Sequence, residues 1–273
     1  MNLTKEIEKE YADTKNNPPA QLYKDMNSTT KRIMKTYAEW MRDVDNTPVK
    51  TRDCKVIYRI LYSQLKKMKI DYSSQDITTV CFLLPYFERE SVEQRENVEQ
   101  RASKEKTNKD EKADREESMK TKKENKESPI CIESSRGLFL SGLINYHHSN
   151  IKNMSNSESM QKSNQEKTSE NNTEEKTYKI MTSHLEERVD LLGYRNNGAT
   201  ITIQGNAGNW LGCEMTQGEI IVVGSAADFV GEEMIGGILR IQDSYARISV
   251  DFLNGTIYCK GRKVDRETLG DIV

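Results

Sequence analysis

The feature that most constrains this chain is a spacing. Gly205, Gly212 and Gly218 return 19 residues later as Gly224, Gly231 and Gly237. Between the glycines the residue character repeats column by column. Trp210 falls over Phe229, Leu211 over Val230, Met215 over Met234, Ile220 over Leu239 and Val222 over Ile241. A fixed period near twenty residues is the signature of a solenoid, in which each turn stacks on the one before. Every row ends in a short aliphatic run, such as 219–223 and 238–241, suited to a strand of a few residues. Strands stacked in register about 4.8 Å apart turn each column into a ladder. Ile201, Ile203, Ile220, Val222, Leu239, Ile241, Ile257 and Cys259 are then expected to point inward. The glycines mark corners that need positive φ or close backbone passage. A helix would tolerate them poorly, since each costs about 1 kcal/mol inside one.

The rows continue in both directions. Upstream, Leu192 and Gly193 precede Leu211 and Gly212 by one period, as Ile201 and Ile203 precede Ile220 and Val222. Downstream, 243–261 fits with one residue deleted. Ile248 then joins the Leu211/Val230 column and Phe252 joins the two methionines. About four coils result, with the degenerate ones at the ends, where a repeat faces solvent on one side.

Three elements of these rows closely resemble the GXGXG domain: Gly-Asn-Ala-Gly-Asn-Trp-Leu-Gly (205–212), Gly-Glu-Ile-Ile-Val-Val-Gly (218–224) and Asp-Phe-Val-Gly-Glu-Glu-Met-Ile-Gly-Gly (228–237). That domain forms the C-terminal part of the glutamate synthase large subunit and the C subunit of formylmethanofuran dehydrogenase. The resemblance spans roughly residues 178–265. It implies a right-handed parallel β-helix that serves as a scaffold and contributes no catalytic side chain. The chain departs from those families in having few coils and no amidotransferase, flavin or metal domain.

The rest of the chain reads differently. Only 35% of it is hydrophobic and 31% is charged, so long segments are expected to lie outside any core. Residues 1–90 read as a small helical bundle. Ile33, Met34, Tyr37, Trp40, Met41 and Val44 recur at helical spacing over 28–44, with Ser28 as a candidate cap. Val56, Ile57, Ile60, Leu61, Leu65 and Met68 do so over 52–69. Ser73 to Asp76 has the form of a capping box opening a third helix. Residues 91–128 are a charged tract, read as a disordered linker or a lone helix. Residues 129–148 are an apolar island whose glycine-bounded run 137–142 looks like a strand, capping or extending one end of the β-helix. Residues 149–176 read as a second disordered linker and 177–273 as the β-helix domain. The fold class is thus α+β and multidomain: a helical bundle, linkers and a short parallel β-helix.

Candidate chemistry is sparse. There is no nucleophile elbow, phosphate loop or zinc-protease motif. His147 and His148 are adjacent, but no third ligand lies near them in sequence. His184 stands beside Glu186 and Glu187, and Glu232 with Glu233 forms a carboxylate pair, yet side chains in a coil corner are expected to diverge. Cys213 and Cys259 fall on repeat columns as small apolar fillers. The five cysteines show no metal-binding spacing. No catalytic, cofactor-binding or metal-binding residue is therefore assigned, and no cofactor is implied. Lys31, Arg32, Lys35, Lys66, Lys67 and Lys69 read as solvated helix faces, and with a net charge of −2 neither nucleic acid nor membrane is an expected partner. No secretory leader or membrane-spanning run is evident, which suits a cytoplasmic protein. The expected function is a non-catalytic scaffold whose β-helix docks a protein partner, plausibly an oxidoreductase-type complex, with a homodimer through a β-helix end as one form. The alternatives are a structural subunit of a glutamate synthase or formylmethanofuran dehydrogenase assembly, and a nucleic-acid-associated factor acting through the helices.

Overall fold

The computed structural model describes residues 26–47, 53–69, 71–85, 135–161 and 177–264. The expectations for 1–25, 91–128 and the last nine residues lie outside them. The described chain is four helices followed by a parallel β-solenoid of about four turns.

Helix α1 (Ser28–Asn46) buries Ile33, Met34, Tyr37, Trp40 and Val44 on one stripe. Its cap is Asn27, whose side chain accepts from the Thr30 N–H at 2.7 Å, and not Ser28. Helix α2 (Cys54–Met68) is capped by Asp53 and ends with Lys66 and Lys67 in its last turn, where cations complement the exposed carbonyls. Helix α3 (74–85) opens on the expected capping box: the Asp76 N–H donates to Ser73 Oγ at 3.2 Å and the Ser73 N–H to Asp76 Oδ2 at 2.9 Å.

The apolar island is not a strand. Residues Ser135–Gln161 form helix α4, which also takes in the start of the tract read as a linker. Its glycines mark close packing instead of turns. A Cβ on Gly137 would overlap the Asp190 carbonyl, and one on Gly142 would lie 2.5 Å from Leu61 Cδ2. The buried residues Leu138, Phe139, Leu140, Leu143 and Ile144 surround this helix with apolar contacts. Phe139 meets Tyr37 at 4.8 Å and Trp40 at 5.7 Å. On another side Ser141 Oγ donates to Leu191 O and Asn145 Nδ2 to Tyr194 O.

Strands β1 (Thr177–Met181), β2 (Asn197–Gln204), β3 (Gln217–Val222), β4 (Ile235–Ile241) and β5 (Asn254–Cys259) pair in sequence order, all parallel. The short β6 (Arg262–Lys263) folds back antiparallel on β5. The register is the one the columns require: Ile201, Ile220, Leu239 and Ile257 form one ladder and Ile203, Val222, Ile241 and Cys259 the next. All are buried except Cys259, which is only partly covered. It sits in the last coil, where no further row lies beneath it among the described residues. Tyr178 and Ile180 head the two ladders in β1 and are fully buried. The sequence columns missed this row, because its offset to β2 is 23 residues and not 19.

Outside the strands the turns also stack. The rings of Trp210 and Phe229 lie 5.4 Å apart and 7° from parallel, and the Arg247 guanidinium covers Phe229 at 4.7 Å. Asp190 accepts from the Asn209 N–H, and Asn209 in turn from the Asp228 N–H, so each row fastens the next. The glycine requirement is sharpest at Gly237. Its φ is +92°, and a Cβ there would collide with Met215 Cε and lie 3.0 Å from Gly218 O.

The helical bundle and the solenoid are not separate bodies joined only by linkers. Their buried side chains form one continuous cluster. Helix α3 covers the β1 edge, where Thr78 Oγ1 donates to Lys179 O at 3.0 Å. Helix α4 covers the first turn. The Tyr58 ring of α2 meets Tyr194 edge-on at 5.1 Å. Together the helices close the N-terminal end of the solenoid.

Candidate functional site

The structure brings Cys213, Glu232 and Glu233 into one neighbourhood, beside Glu214 and Cys54, and leaves the histidine candidates elsewhere. His147 and His148 stand on helix α4, not on a strand. His147 Nδ1 is 2.9 Å from the Tyr178 hydroxyl and its ring stacks on Tyr72, while His148 is buried against Gly198. His184 packs on Phe82 at 4.8 Å, and burial pulls its pKa down to about 4. Glu186 and Glu187 are exposed. Burial pushes the Cys213 thiol up, and the carboxylate of Glu214 adds to this, so it is a poor nucleophile. Glu232 accepts a hydrogen bond from Ser249 Oγ, whereas Glu233 pairs with Lys55. Their side chains serve different neighbours. Among the described residues no group of three His, Cys, Asp or Glu could hold a metal ion. None of the described helices is long and apolar enough to cross a membrane.

The basic residues of α1 and α2 are engaged locally. Arg32 Nη2 of α1 donates to Met68 O at the end of α2 at 3.2 Å, satisfying a terminal carbonyl of its neighbour. Lys66 lies over the Tyr62 ring at 5.2 Å and Lys35 is paired with Glu39, each within its own helix.

A different surface stands out. One solenoid corner runs as a shallow open groove of about 410 Å³ across four rows, lined by Arg195, Asn197, Glu214, Thr216, Glu233, Ile235 and Leu253. Its two ends differ. Near the helices it is polar and internally satisfied. Arg195 makes a two-pronged contact with Glu214, at 2.9 and 2.7 Å, and the Tyr194 hydroxyl donates to the same carboxylate. Lys55, from the first turn of α2, reaches Glu214 at 3.6 Å and Glu233 at 3.3 Å. These carboxylates hold the Lys55 ammonium above its ordinary range, with the Glu233 hydrogen bond first among the causes.

Away from the helices the corner turns apolar. Ile235 is 53% exposed, Leu253 60% and Val250 88%. These three and Val223 are the exposed large aliphatic side chains of the described residues; Val223 follows the middle strand β3, and the other three belong to the last two rows. The period placed Ile235 and Leu253 outside the inward columns, but no sequence rule set them side by side at the end distant from a helical cap.

No family model matches the chain, and neither does any curated protein or solved structure. The fold and this corner define it as a helix-capped parallel β-solenoid whose corner is apolar and exposed among the described residues.

Proposed function

We propose that this protein is a non-catalytic scaffold whose solenoid docks another protein through the corner at Ile235, Val250 and Leu253. The observation that carries the reading is the pair of exposed aliphatic side chains, Ile235 and Leu253, that line one groove on adjoining rows, with Val250 exposed in the same last coil. Soluble monomers rarely leave such side chains together without a use. The interior supports it, since the ladders fill the solenoid with mostly aliphatic groups and the charged cluster at the corner pairs its members with one another. The resemblance of 205–237 to GXGXG domains makes an oxidoreductase-type assembly a natural class of partner, although a fold alone does not transmit a function. The four described cysteines are free thiols, in keeping with a reducing cytoplasmic setting.

The test is affinity purification from native cells, comparing wild type with Val250→Ser/Leu253→Ser. Both positions are exposed, so folding should be retained. Proteins that accompany the wild type and are lost from the variant support the reading. An unchanged set of companions refutes it.

A further inference from the structure

We infer that the exposed corner receives an extended segment of another protein in which apolar side chains are interleaved with lysine or arginine. This rests on the docking reading above and specifies the chemistry of the partner. The apolar part follows from Ile235, Val250 and Leu253. The charge follows from their rim. Glu233 lines the same groove as Ile235 and Leu253, and its side chain is 51% exposed. Asp251 is exposed between Val250 and Leu253, and Glu232 is drawn to the same turn by Ser249. Lys55 of α2 already occupies Glu214 and shares Glu233, so Asp251 is a carboxylate of this rim with no ion pair among the described residues. The amino group of Lys55 sits between Glu214 and Glu233, 3.6 and 3.3 Å from their oxygens.

An extended segment fits better than a compact ligand. The groove is shallow and open, and it crosses four successive rows instead of enclosing a cavity. Two copies of this chain fit less well. A two-fold contact through the apolar side chains would set one acidic rim against the other, and like charges opposed across an interface weigh against it. A nucleic acid backbone meets the same repulsion.

The probes are labelled eight-residue peptides, alternating leucine with lysine, leucine with glutamate, or serine with lysine, titrated into the full chain by fluorescence anisotropy. The leucine–lysine peptide should bind at least tenfold more tightly than either control, and more weakly as salt rises. Val250→Ser/Leu253→Ser should lose at least tenfold. Glu233→Gln/Asp251→Asn should lose several-fold for the lysine peptide and none for the glutamate one. Circular dichroism checks that both variants remain folded. Equal binding of the leucine–glutamate peptide overturns the charge assignment while leaving a docking corner. A dimer in sedimentation that Val250→Ser/Leu253→Ser dissociates makes the occupant a second copy and likewise overturns the inference alone. Binding of no peptide by a monomeric protein overturns the inference, and the co-purification comparison then decides separately whether the corner docks anything.

Discussion

Replacing Val222 with aspartate tests the ladder and the joint between helices and solenoid together. Val222 is fully buried, in register between Ile203 and Ile241. Losing its side chain from the interior removes about 1.5–3 kcal/mol. Placing an unpartnered carboxylic acid there costs about 1–3 kcal/mol more. The folded-state pKa of such a group is raised, because burial disfavours its charge. Its penalty is therefore smallest below the unfolded value near 3.9 and grows by about 1.4 kcal/mol for each pH unit above it. At pH 7 that adds about 4 kcal/mol, for a total of about 7–10 kcal/mol, against a typical domain stability of about 5–15 kcal/mol. The variant should be largely unfolded at neutral pH, and its deficit relative to wild type should shrink towards pH 4. Val222→Asn should show the loss without the pH slope.

The chain carries two tryptophans, and they lie in different parts. Trp40 is buried among the helices, and Trp210 stacks on the solenoid. In a Trp210→Phe background, Trp40 fluorescence reports the helices while circular dichroism reports the strands. Because the buried cluster is continuous, urea transitions by the two signals should coincide and move together in the variant. A deficit that does not change with pH would refute the inward placement of Val222. Helices that stay folded while the strands are lost would refute the shared core.

Further expectations concern the stack, the corner glycine and a buried histidine. A double-mutant cycle of Trp210→Ala and Phe229→Ala should give a coupling of about 0.5–1.5 kcal/mol by urea denaturation; additive losses would mean that the rings do not interact. Gly237→Ala, at φ +92° and crowded by Met215, should cost about 1–3 kcal/mol, whereas the same change at Gly261, with nothing within 4 Å of a built Cβ, should cost only its positive φ. Burial lowers the His184 pKa to about 4, so the unfolded chain takes up a proton first as pH falls. Stability should therefore be complete above about pH 6.5 and decline towards pH 4, and His184→Phe should remove that limb of a stability–pH curve.

Sequence and structure agree where one physical rule acts over a short range. Stacking demands like residues at a fixed offset, so Trp210 over Phe229 and Ile220 over Leu239 could be read from spacing alone, as could the capping box at Ser73. What failed was the meaning of glycine in the run 137–142. There a missing Cβ lets a helix approach the Asp190 backbone and the Leu61 side chain, a reason that exists only once both partners are in place. The same limit hid the apolar corner and the clasp from Lys55 to Glu233, which joins residues 178 positions apart. Cys259 shows a third kind of gap. It obeys its column, but a column position assures burial only when another row follows.

The closed N-terminal end leaves the row count as a free parameter. Another 19-residue unit spliced between 224 and 242 would repeat contacts that already exist and disturb neither the helical plug nor the terminal hairpin. Each such unit would carry the apolar corner about 4.8 Å farther from α2 and out of reach of Lys55. Row number would thus act as a ruler, setting the distance between the helical plug and the solenoid's tail.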